Sequence, residues 1–179
     1  EDLTSYDAFC YETYLSDITL SKETEEYLAE ILKEAVTDVE KLKAIEQELK
    51  SFEYSFDSGE IPEKVTDAGT FLDDFLLEKR KGYCTHFATA FTLLAQSQGI
   101  PARYVHGYCV PVGRPGDVAV TASMAHAWPE VYIKNIGWVP FEPTPGYGEV
   151  RYGSWEAKKG NSIADLEREK AWSSQEMYM

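Results

Sequence analysis

Residues 82–110, GYCTHFATAFTLLAQSQGIPARYVHGYCV, constrain this chain more than any other stretch. Phe87, Ala90, Phe91, Leu94 and Ala95 recur at helical spacing with little polar relief between them, so the helix they form must be buried on most sides. Gly99 and Pro101 are its stop signals. Such a helix needs a surface to pack on, and the segments that follow supply one. Residues 103–110, 125–133 and 138–141 have the aromatic and β-branched content of strands, and Asn135-Ile136-Gly137 suits a tight connection between the last two. The expected fold class is α+β, a central helix bearing a cysteine at its start and packed on an antiparallel sheet.

Upstream lies a helical preface. Ser21 reads as a cap ahead of Leu28, Ile31, Leu32 and Ala35, and Thr37 with Glu40 reads as a capping box ahead of Val39, Leu42, Ile45 and Leu49. Residues 1–20 show no clear period and are expected to form an irregular arm. Phe52, Tyr54 and Phe56 alternate as in a short strand. Ala68, Phe71, Leu72, Phe75 and Leu76 then predict a third helix, with Asp67, Asp73 and Asp74 off its apolar face and Gly82 ending it. The segment PVGRPGDVAVTAS, between the first two strands of the sheet, is long enough for a rim or lid. The tail from Tyr147 reads as polar, with a short helix expected near Ser162.

A chain of 179 residues, 44% of them hydrophobic, fits one domain with a real core. We divide it into an arm and helices at 1–65, a core at 66–148 and a tail at 149–179. The 17 Lys and Arg against 31 Asp and Glu leave a net charge of −14, which speaks against a nucleic-acid partner, because phosphate contacts are cationic. No segment approaches the roughly 20 apolar residues of a membrane span. The chain opens on Glu1, and no basic-then-apolar leader follows, which reads as a piece of a longer or processed protein.

Three residues can carry chemistry together. A thiol attacks a carbonyl carbon as thiolate, and Cys84 sits where a helix N-terminus favours that anion and offers N–H groups to a developing oxyanion. His126, between Ala125 and Ala127, has the room of a general base, with Trp128 placed to shield it. Glu142, near the end of the next strand, can orient the imidazole. Each also has a plain reading: a buried cysteine filling the core, a hydrogen-bonded strand histidine, an exposed strand end.

The blocks GYCTHFATAFTLLAQSQGIPARYVHGY and HAWPEVYIKNIGWVPFEPTPG resemble the core of the transglutaminase-like superfamily, whose fold is papain-like. The likeness is to extracytoplasmic domains of bacterial membrane-anchored members and spans residues 71–148. It implies Cys84 as nucleophile, His126 as base and then acid, and Glu142 as orienting carboxylate where many members carry aspartate. It further implies an acyl-thioester enzyme acting on amide bonds of a peptide or protein substrate, by transamidation, deamidation or hydrolysis. No cofactor or metal is required, and any membrane attachment would lie in segments absent from this chain. Two alternatives stand beside it: a papain-like peptidase or amidase with water as sole acceptor, and a non-catalytic peptide or cell-surface binding module.

Other residues carry less. Trp128 and Tyr83 are candidate substrate-binding residues, and Tyr54 or Tyr83 can lend a hydroxyl to an oxyanion. His86 is expected to point away from Cys84, and Trp138 to lie in the core. Arg103 is expected to bind a carboxylate. Cys10 and Cys109 can pair only if the fold brings them together.

Overall fold

The computed structural model of the protein describes residues 5–110 and 119–148. Most of the segment PVGRPGDVAVTAS, the tail at 149–179 and the helix expected near Ser162 lie outside the described residues. Helices α1 (Ser5–Tyr14), α2 (Lys22–Ile31) and α3 (Asp38–Lys50) precede a short strand, β1 (Glu53–Tyr54). Helix α4 (Ala68–Leu72) runs directly into a π-helical turn, Asp73–Lys79, followed by β2 (Lys81–Gly82). Helix α5 (Cys84–Ser97) leads to β3 (Ala102–Tyr108), β4 (Ala125–Ile133) and β5 (Gly137–Pro140). The last three form an antiparallel sheet in the order β3-β4-β5, while β1 pairs with β2 in parallel. The molecule is thus α+β, as the pattern of apolar residues predicts.

The expected caps close the preface helices. The Ser21 hydroxyl accepts the Thr24 N–H at 3.1 Å. At α3 the Thr37 hydroxyl accepts the Glu40 N–H at 3.3 Å, and the Glu40 carboxylate accepts the Thr37 N–H at 2.8 Å. Helix α5 packs on α3, β3 and β4. Phe87, Phe91 and Leu94 of α5 share one buried cluster with Leu42, Ile45 and Leu49 of α3 and with Val131, Val139 and Phe141. Truncating a ring as enclosed as Phe91 to alanine costs about 3–5 kcal/mol, so the helix that bears Cys84 is held firmly.

Three expectations need correction. Residues 1–20 are not an irregular arm, since residues 5–14 form α1. That helix is pinned by aromatic contacts and by the Tyr132 hydroxyl donating to Asp7 at 2.6 Å, rather than by a periodic apolar stripe, so the sequence pattern hides it. The alternation Phe52, Tyr54, Phe56 yields a strand of only two residues, and Phe56 is left 79% exposed. The third helix does not stay α-helical. Its acids are also not idle on the outer face: Asp74 is buried beside Lys79 at 3.1 Å, and Asp73 accepts the Ser21 and Thr24 hydroxyls at 2.5 and 2.6 Å. Among the described residues no helix is long and apolar enough to cross a membrane.

Candidate active site

Cys84 is the first residue of α5, with Tyr83 as the N-cap in extended conformation. It is half-buried. The first N–H groups of a helix lack intrahelical acceptors, so this position offers both a positive dipole end and free donors. Sequence dictates the turn. Gly82 is required because a Cβ there would lie 2.9 Å from His86 Cβ, and His86 folds back so that its Nδ1 faces the Tyr83 N–H at 3.4 Å. The His86 ring stacks on Phe75 and meets Tyr83 edge-on, and burial, helped by Lys79, pushes its pKa down. Its role is to pack the helix start. The Tyr83 ring is turned toward His86 and toward Phe56, on which it stacks with centroids 6.0 Å apart.

His126 lies on β4, opposite Gly107 of β3, and is 4% exposed. Its Nε2 meets Glu142 Oε2 at 2.6 Å. Its Nδ1 is buried with no hydrogen-bond partner among the described residues. Glu142 stands two residues past the end of β5, buried at 8% exposure rather than at an exposed strand end. The extra methylene of glutamate is accommodated: Oε2 reaches the imidazole while Oε1 accepts the Thr144 N–H at 3.0 Å. Trp128 flanks the imidazole with ring centroids 6.2 Å apart, and Gly107 makes room for it, since a Cβ there would sit 3.0 Å from the indole.

Tyr147 is the residue that sequence reasoning missed. Placed in the polar tail by composition, it instead lies flat on the His126 ring, centroids 3.9 Å apart and planes 11° from parallel. Burial, and then Tyr54 and Cys84, push its pKa up to about 12, with Cys109 and Glu142 adding to the effect. The Tyr54 hydroxyl is raised by burial and by Cys84. The Cys109 thiol is raised by burial, then by Glu142 and Cys84. Tyr147 therefore touches His126, the imidazole that Glu142 also holds. The only prior signal was its place five residues after Glu142 in the EPTPGY run.

Residues 25–143 match the pattern of the transglutaminase-like superfamily. The chain belongs to that superfamily. Its members are generally cysteine-dependent enzymes. Over 132 residues, 69% of this chain, it is 38% identical to the uncharacterized protein YebA of Bacillus subtilis (strain 168), of which it covers 18%. Over 75 residues, 41% of the chain, it is 39% identical to a protein-glutamine gamma-glutamyltransferase of Pseudomonas aeruginosa PAO1, of which it covers 11%. The chain thus spans less than a fifth of the length of these curated relatives. The crystal structure of the periplasmic domain of TgpA from Pseudomonas aeruginosa superposes with a TM-score of 0.60 at 24% identity, covering 78% of this chain and 48% of that one, a likeness of fold.

Within this transglutaminase-like fold the remaining candidates separate into support and site. Arg103 binds Glu130 through two bonds of 2.9 and 2.6 Å, and its guanidinium stacks 4.0 Å from the Trp138 ring. Trp138 is part-exposed and donates to the Tyr6 hydroxyl at 3.0 Å. Cys10 is buried in α1 and Cys109 lies just past the end of β3; the two do not pair, and all three cysteines are free. Among the described residues no three His, Cys, Asp or Glu side chains are grouped to hold a metal ion.

Proposed function

We propose that this domain is a cysteine acyl-transfer enzyme acting on amide bonds of peptides or proteins. The observation that carries the reading is the His126 ring, fixed by Glu142 through Nε2 and left with a buried, unpartnered Nδ1 among the described residues. An imidazole needs one nitrogen anchored and the other free to exchange a proton with a nucleophile. Cys84 Sγ attacks the carbonyl carbon, and its proton passes to His126 Nδ1. The N–H groups at the start of α5 hold the oxyanion. His126 returns the proton to the leaving amine as the C–N bond breaks, which leaves a thioester on Cys84. A second acceptor, water or a primary amine, loses its proton to His126, attacks the thioester and releases the thiol. Glu142 keeps the ring aligned and offsets the charge of the imidazolium.

By analogy with the gamma-glutamyltransferase among the relatives, glutamine carboxamides are the first substrates to try. The likeness to a periplasmic domain favours an extracytoplasmic setting. The test is site-resolved alkylation of Cys84 across pH in a Cys109→Ser background, with and without His126→Ala. Alkylation that persists at pH 6 and collapses in His126→Ala supports the pair, since a free thiol of pKa about 8.5 is largely unreactive there. An identical, thiol-like profile in both proteins removes the enzyme reading and leaves the binding module. Incubation with a glutamine peptide and a labelled primary amine then separates transamidation from hydrolysis by the product formed.

A further inference from the structure

We propose that Glu46 of α3 is a positioning residue for the reaction, holding the backbone of Glu142 so that its carboxylate meets His126. The inference rests on the reading of Cys84, His126 and Glu142 as the reacting set. Glu46 is only 7% exposed, an expensive place for a carboxylate unless its oxygens are engaged. Its Oε1 accepts the Glu142 backbone N–H at 2.9 Å, a buried bond between residues 96 apart in sequence.

The bond sits where the sheet no longer supports the chain. Strand β5 ends at Pro140, and the last cross-strand bond beyond it is the Phe141 N–H donating to the Pro129 carbonyl at 3.0 Å. Pro143 has no N–H to offer. The Thr144 N–H bonds the Glu142 side chain itself, a contact that travels with the loop rather than fixing it. Glu46 ties that loop to a separate rigid element. Helix α3 is closed by its capping box and anchored by Leu42, Ile45 and Leu49, each fully buried, so residue 46 is fixed on the same stripe. A glutamate reaches His126 through three side-chain torsions, and a small backbone rotation at its root swings the terminal oxygen through a larger arc. A carboxylate acceptor also makes a shorter, stronger bond to an N–H than a neutral oxygen does.

The experiment compares the pH profile of Cys84 alkylation in the Cys109→Ser chain with that of Glu46→Gln, Glu46→Asp and Glu46→Leu, with Leu28→Ala, a buried core substitution on α2, as control. Glu46→Gln, whose amide oxygen can accept the same N–H, is expected to keep the ratio of rates at pH 6 and pH 9 within threefold of the parent. Glu46→Asp and Glu46→Leu, which cannot reach it, are expected to lose at least tenfold in that ratio. Leu28→Ala lowers the thermal midpoint and leaves the ratio intact. Should Glu46→Leu fail to fold, Glu46→Asp carries the test, because it keeps charge and polarity and shortens only the reach. A parent profile that depends on His126 yet is unchanged in Glu46→Asp overturns the positioning role alone. A fall in Leu28→Ala as large as that in Glu46→Asp also overturns it, by reducing Glu46 to a stability residue. A parent profile that never depended on His126 overturns the acyl-transfer reading, and this inference with it.

Discussion

Alternate residues of β4 project from one face of the sheet, and the two ends of that row are treated in opposite ways. At the Tyr132 end every polar tip named in the structure is engaged. The Tyr132 hydroxyl donates to Asp7 at 2.6 Å, the Trp138 indole to Tyr6 at 3.0 Å, and Arg103 to Glu130 through two bonds. At the His126 end three buried polar atoms, His126 Nδ1, Trp128 Nε1 and Thr144 Oγ1, have no partner among the described residues. Buried polar groups in folded proteins are nearly always paired, because an unpaired one costs the full desolvation penalty. One strand thus shows the rule and a clustered exception, and the exception surrounds the ring that Glu142 and Tyr147 contact.

The widest split between the two ends is expected from a pair of substitutions. His126→Ala should reduce turnover of an amide substrate by about 10²–10⁴-fold, the usual yield of a positioned acid-base, and, because it strips the buried Glu142 carboxylate of its imidazole partner, should also cost about 1–3 kcal/mol in urea unfolding. Trp138→Phe should keep turnover while losing only the bond to Tyr6. Comparable losses of turnover in both would erase the distinction. Next in size is Tyr132→Phe, which removes one buried hydrogen bond to the Asp7 carboxylate and should cost about 1–3 kcal/mol in urea unfolding while leaving the pH profile of Cys84 alkylation unchanged.

The site end was more legible in sequence than the scaffold end, for a physical reason. Cys84, His126 and Glu142 stand at element boundaries marked by local chemistry: a glycine before a buried helix, small residues flanking a histidine, a tight turn joining two strands. The extended blocks around them also carry the family resemblance that the match over residues 25–143 bears out. Helix α1 left no such mark, because it is held by aromatic contacts and long-range bonds that have no sequence period. Tyr147 was illegible for a related reason. A ring that stacks on His126 from a turn depends on the path of the chain after Glu142, which no local pattern encodes. Glu46 was half-legible: it lies on the apolar stripe with Leu42, Ile45 and Leu49, and a carboxylate on such a stripe calls for a buried partner.

Tyr147→Leu asks how much of the His126 end depends on that ring. Stacked aromatic pairs are worth about 0.5–1.5 kcal/mol beyond the area they bury, and if that energy holds the imidazole in its reactive orientation the substitution should lower turnover by a factor of roughly two to ten. Tyr147→Phe keeps the stack and removes only the hydroxyl. If Phe is as impaired as Leu, the hydroxyl beside Tyr54 and Cys84 is the group that matters, and the His126 end gains a fourth polar participant.

The smallest effect expected is an acid sensitivity confined to the site end. Burial, with Lys79 beside it, holds the His86 pKa below its ordinary 6.5, so the unfolded chain binds a proton that the folded chain resists. Stability therefore falls with pH wherever the unfolded state carries that extra proton. The loss begins near pH 6.5 and is complete once pH drops below the folded value. The Phe75 stack behind His86 is apolar, so His86→Phe should preserve the packing and remove this share of the acid sensitivity, read as a flatter urea midpoint between pH 7 and pH 5. An unchanged slope would assign the sensitivity to other groups.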